Sequence, residues 1–137
     1  EIHWRDWSSD VCSSDLPQTN CIYVYDYPSR AELAAHKGEQ RWPHKIGFSH
    51  LTAADRIADQ IGTAMPEYPR LVLSYHHPNA KILEETIHRI LELWGHKITN
   101  APGNEWFDTY EAEILSVIDF ATQPPSTDDG SPADGPA

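Results

Sequence analysis

Cys21-Ile22-Tyr23-Val24-Tyr25-Asp26-Tyr27 sets Ile22 and Val24 alternately against Tyr23, Tyr25 and Tyr27, and Pro28 ends the run. A period of two in residues that suit a pleated surface predicts a strand with its tyrosines on one face. Moving outward, Ser29 to Gly38 reads as a short helical turn or loop insertion closed by Gly38. Pro43 to Phe48 reads as a second strand, antiparallel to the first. Thr52-Ala53-Ala54-Asp55 is an N-cap signal before Ile57, Ala58 and Ile61, with Gly62 as the stop. Leu71 to Tyr75 is more uniformly apolar than the other strands and predicts a third, central strand. Asn79 opens the longest helix, whose stripe is Leu83, Ile87, Ile90, Leu91 and Trp94, and Gly95 closes it. Asp108 through Phe120 is a final helix with Ile114, Leu115, Val117 and Ile118 inward. The order β-β-α-β-α-α predicts an α+β layered domain, a small three-stranded, mainly antiparallel sheet covered by helices.

Both ends of the chain fall outside that pattern. Asp6-Trp7-Ser8-Ser9-Asp10-Val11-Cys12-Ser13-Ser14-Asp15-Leu16 resembles a translated sequencing adapter, so residues 1–16 are set aside as foreign and the native N-terminus is expected upstream. Residues 122–137 are almost wholly Pro, Ser, Thr, Asp, Gly and Ala and are expected to stay disordered, having no apolar surface to bury. Residues 17–121 remain, enough for one domain. No apolar run approaches the roughly 20 residues of a membrane span. With Cys12 set aside, Cys21 alone argues against a disulfide framework or a cysteine zinc site and makes a reducing cytoplasm the expected location.

The formal net charge of −11 argues at first against a nucleic-acid binder. Much of the excess lies in the two ends. Between Tyr23 and Lys97 nine acids face nine bases, and the remaining acids run from Glu105 to Asp119. Arg30, Lys37, Arg41 and Lys45 fall in one stretch. That core permits phosphate binding without requiring it.

Four side chains suggest chemistry. Glu84 flanks the apolar stripe of its helix, with His88 one turn on. It reads either as a solvated glutamate or as a ligand for a hard divalent cation. Glu85 beside it is expected in solvent. Arg56, in the first turn of its helix, either pairs with Asp55 and Asp59 or reaches a phosphate with its planar fork. Tyr23 acts as a general base only if a cation draws its proton off, and Lys45 on the partner strand is the candidate. Gly47 allows close approach. Tyr25, Tyr27, Trp106 and Phe107 are assigned to packing. His76 and His77 point to opposite sides of a strand, which disfavours a shared zinc and leaves one free to reach a phosphate.

Taken in order, these elements resemble the GIY-YIG nuclease superfamily over roughly residues 20–118. Cys21-Ile22-Tyr23 stands for its first motif and Lys45-Ile46-Gly47-Phe48-Ser49 for its second, with Arg56 at the family distance beyond Gly47. Leu83-Glu84 with His88 resembles the glutamate helix. Gly103-Asn104-Glu105-Trp106-Phe107 resembles a closing element most like the phage-type branch, in which Asn104 or Glu105 takes the place of the family asparagine. Lys45 departs from the family tyrosine. The resemblance implies a metal-dependent endonuclease that hydrolyses DNA phosphodiesters with Mg2+ (or Mn2+) on Glu84. Tyr23, Lys45, Arg56 and Glu84 would be catalytic, and Gly47, Ser49, His88 and Asn104 would contact substrate. A DNA-reading domain is expected upstream. The alternatives are an inactive nucleic-acid-binding module of the same fold and a protein-interaction domain using the acidic last helix.

Overall fold

The computed structural model describes residues 20–50, 52–61 and 65–123. The readings of residues 1–16, of Gly62 and of the tail from residue 124 onward lie outside these. Strands and helices alternate as β1 (Cys21–Asp26), α1 (Pro28–Lys37), β2 (Trp42–Ser49), α2 (Ala53–Gln60), β3 (Arg70–His76), α3 (Ala80–Leu93), β4 (Trp106–Thr109) and α4 (Glu111–Thr122). The domain is α+β, with one antiparallel sheet in the order β3-β1-β2-β4.

The expected order and strand number therefore need correction. The fourth strand, β4, is only four residues long and pairs with Trp42 to Lys45 alone. So short a run shows no period to read. The segment read as a turn or loop is helix α1, ten residues long, with Pro28 in its first turn and Gly38 left-handed at its end. Ala34 is its one buried residue, so it carries no apolar stripe. Strand β3 lies at an edge, not at the centre. Its register with β1 slips between Val24 and Tyr25, which pair with Leu73 and Leu71 and leave Val72 as an extra residue. Leu71 packs on one face, while Val72, Leu73 and Tyr75 pack on the other. A bulge, not burial on both sides, made the run look uniformly apolar.

The sheet separates two cores. Ile22, Val24 and Ile46 face α3 and α4 and pack with Leu83, Ile87, Leu91, Phe107, Ile114, Val117 and Ile118. Cys21, Tyr23 and Tyr25 face α2 and pack with Ala53 and Ile57, with Trp106 and Leu71 at the margin. Two stripe residues read as inward are exposed: Trp94 in the turn that ends α3, and Leu115, one residue off the 114, 117, 118 line of α4. Thr52 caps α2 as expected, its hydroxyl accepting from the Asp55 N–H at 3.2 Å.

Asp26 ties one end of the sheet together. It is fully buried opposite His44 on β2 and Arg70 on β3. Arg70 donates from Nε and a terminal nitrogen to its two oxygens at 3.0 and 2.8 Å, and the Trp42 indole N–H donates at 2.7 Å. Burial holds the neighbouring His44 below the usual histidine range, so it stays neutral. Removing the carboxylate strands a buried indole donor and breaks a paired fork. Asp26→Ala is expected to lower stability by about 3 kcal/mol in urea unfolding; a midpoint equal to wild type would remove Asp26 from this role.

Candidate functional site

Direct register places Gly47 opposite Tyr23 and Lys45 opposite Tyr25, all on the face that α2 covers. The end of the Tyr23 ring lies against Gly47 where any Cβ would sit. A glycine here is a steric requirement of the phenol, so the close approach is that of a side chain of this chain.

Helix α2 places two polar residues on this ring. Arg56 donates to the Tyr23 hydroxyl, and so does Gln60, from Nε2 at 2.9 Å. Gln60 Oε1 accepts from the Tyr25 hydroxyl at 2.8 Å and from Lys45 Nζ at 3.4 Å. Lys45 also stands 3.4 Å from Glu105. The cation on the phenol is thus Arg56, and Lys45 touches Tyr23 only through Gln60, a correction to the expected pairing. Burial raises the Tyr23 pKa above the ordinary phenol value, the Arg56 and Gln60 hydrogen bonds pull it back in part, and Glu105 raises it further. The phenol is protonated at neutral pH.

The Arg56 guanidinium turns to Tyr23, and Asp59 contributes only a background charge. Its Nε–H is buried and has no hydrogen-bond partner among the described residues.

Glu84 approaches from the opposite face of the sheet, on α3. Its stripe neighbours Leu83 and Ile87 are buried, and Glu84 itself is only 5% exposed. Burial lifts its pKa to about 7, with Glu105 and Glu85 adding to the rise and Lys81 and Lys45 opposing it. His88 stands 3.5 Å from Oε2, but its Nε2–H donates to the Ile46 carbonyl at 2.8 Å and burial keeps the ring neutral. Glu85 is exposed and paired with Lys81 at 3.1 Å, as expected.

The two groups of residues lie on opposite faces of β2 and are linked by charge. Glu105 acts electrostatically on Tyr23, Arg56 and Glu84 alike, and Lys45 on Glu84. The residues read as catalytic therefore come from both faces of the sheet, Tyr23, Lys45 and Arg56 from the α2 side and Glu84 from the α3 side. A separate cleft of about 500 Å3 is lined by Glu85, His88, Arg89, Glu92, Lys97 and Asn104. It brings together two of the predicted substrate contacts, His88 and Asn104, and none of the four residues read as catalytic. Ser49 is buried opposite Cys21. Sequence reading missed Gln60 altogether, although its place one turn after Arg56 puts it on the same helical face.

A desolvated carboxylate held near pKa 7 beside further carboxylates is a group that a cation would relieve. Among the described residues no group of three or more His, Cys, Asp or Glu could hold a metal, which leaves no cage for a thiolate- and imidazole-seeking ion. One carboxylate fits Mg2+, which keeps most of its waters.

The fold is thus a small antiparallel sheet between helices, with a polar cluster at its edge. The chain belongs to the T5orf172 domain family, which residues 20–122 match. No curated protein and no solved structure matches it. Among the described residues no helix is long and apolar enough to cross a membrane.

Between pH 4.5 and about 7 the folded chain keeps a proton on Glu84 that the unfolded chain releases. Stability therefore falls as pH rises through that window. Glu84→Gln is expected to be more stable than wild type at about pH 8, by on the order of 2 kcal/mol, and equal to it near pH 4. Paired denaturant titrations at the two pH values check this; a variant that gains nothing at the higher pH would contradict it.

Proposed function

We propose that this domain is a metal-dependent endonuclease of GIY-YIG type that hydrolyses DNA phosphodiester bonds. The observation that carries the reading is Arg56, set on the Tyr23 hydroxyl and holding a buried Nε–H that has no partner among the described residues. Support comes also from the family, a phage-associated domain of nuclease-like type. In this reading Arg56 takes a non-bridging oxygen of the scissile phosphate with its guanidinium fork and stabilises the charge that grows as phosphorus becomes five-coordinate. Tyr23 orients the attacking water through its hydroxyl, its oxygen held by Arg56 and Gln60, and the water's proton leaves to a non-bridging phosphate oxygen. Lys45 keeps Gln60 in place and balances Glu105. Gly47 leaves room for the phenol. His88 holds the strand edge while its cleft, with Asn104, takes flanking nucleotide. Glu84 would hold Mg2+ or Mn2+, which when bound polarises the phosphate and stabilises the leaving oxygen. A DNA-reading domain elsewhere in a longer chain, and action in the cytoplasm, complete the proposal.

One observation favours a second reading, a DNA-binding module without turnover: the phenol sits above its ordinary pKa, on the protonated side for a base. Nicking of supercoiled plasmid separates the two. With Mg2+, the wild type and the exposed Glu111→Ala control are expected to nick, whereas Glu84→Ala and Arg56→Ala lose at least about a hundredfold. Mg2+ is also expected to raise the melting temperature of the wild type and not of Glu84→Ala. Salt-sensitive DNA binding with no nicking by the wild type would favour the second reading.

A further inference from the structure

Gln60 lies at the centre of the polar cluster, contacting three of its members through one amide group. Lys45 has donors and no acceptor, so the amide end that faces Lys45 Nζ at 3.4 Å is the oxygen. The Tyr25 hydroxyl donates to that same oxygen at 2.8 Å. The other end of the amide is therefore NH2, and it donates to Tyr23 at 2.9 Å. Arg56 is likewise only a donor. The Tyr23 oxygen thus accepts twice on the α2 side and finds no acceptor there for its own proton.

We propose that Gln60 is a positioning residue: its amide, oriented by Lys45 and Tyr25, holds the Tyr23 oxygen as an acceptor and turns the phenolic proton away from α2 toward the reacting site. The arrangement gives Lys45 a part in the chemistry without contact with Tyr23. It rests on the endonuclease reading only in its last link, from proton direction to rate. The charged and titratable groups around the phenol are Tyr25 on β1, Lys45 on β2, His76 on the same face of β3, Arg56 on α2 and Glu105 ahead of β4. None of these supplies what Gln60 supplies, a neutral donor whose direction is set by its neighbours.

The test is a pair of substitutions that split the two ends of the amide. In Gln60→Glu the new carboxylate still accepts from Tyr25 and Lys45, but it also accepts where the amide donated, so the Tyr23 proton turns inward. Gln60→Met removes both ends at similar size. In the full chain labelled with 13Cζ-tyrosine, the Tyr23 resonance, assigned by its loss in Tyr23→Phe, is expected to shift at pH 8 in both variants. The Tyr25 resonance is expected to shift in Gln60→Met and to stay in place in Gln60→Glu. In plasmid nicking, kcat is expected to fall at least about tenfold in Gln60→Glu with KM within about twofold. A Tyr23 resonance unmoved in a folded Gln60→Glu protein overturns the proposal, as does an unchanged kcat. If the wild type nicks nothing, the endonuclease reading falls by itself, and the resonances still decide what Gln60 does to the phenol.

Discussion

An antiparallel strand that loses its neighbour presents a carbonyl and an N–H outward at every second residue, and these must find partners or water. Strand β2 meets this problem at Ile46. Strand β4 pairs with β2 only as far as Lys45. The Ile46 N–H is taken by the Glu105 carbonyl at 3.0 Å and its carbonyl by His88 at 2.8 Å. These two bonds bring a loop carboxylate and the flank of α3 to the same point on the sheet. Glu84 arrives one helical turn before His88, and Lys45 and Gly47 sit on either side of Ile46. The candidate site is built around this one edge.

Its electrostatics follow from which groups are buried and which are paired. Asp26 and Glu113 are buried carboxylates with cation forks: Arg70 serves the first, and Arg41 serves the second at 2.7 and 3.3 Å. Burial would raise the Glu113 pKa, but the bonds from Arg41 and Thr109 take it below the usual carboxylate range. Glu84 is as deeply buried and has only a neutral histidine beside it, already committed to Ile46. The contrast separates two carboxylates with cation forks from one that has none among the described residues. Arg56 presents the complementary case, a buried cationic N–H with nothing to accept it among the described residues.

Much of this was readable from residue types at fixed spacing. The tyrosine strand, the Thr52 cap, the stripe of α3 and the exposed Glu85 all follow from local periodicity, which survives folding unchanged. Helix α1 and strand β4 escaped it, because a helix that buries one alanine and a strand of four residues leave no repeating signal. The bulge at Val72 misled for a related reason: an extra residue breaks the period of two and imitates a strand buried on both sides. Within the site, the pairing of the two motif strands that carry Tyr23 and Gly47 was in reach of sequence reasoning. Which cation meets the phenol was not, since Lys45 and Arg56 lie on different elements.

The chain by itself determined which faces are apolar and where helices start, because those choices are made between residues a few positions apart. It also placed glycine at 47, where the phenol of Tyr23 leaves no space for a side chain. Only the tertiary structure decided strand order, the early end of β4 and the hydrogen-bond directions around Gln60. Each of these depends on groups 15 to 60 residues apart competing for the same partners, and local sequence carries no record of that competition.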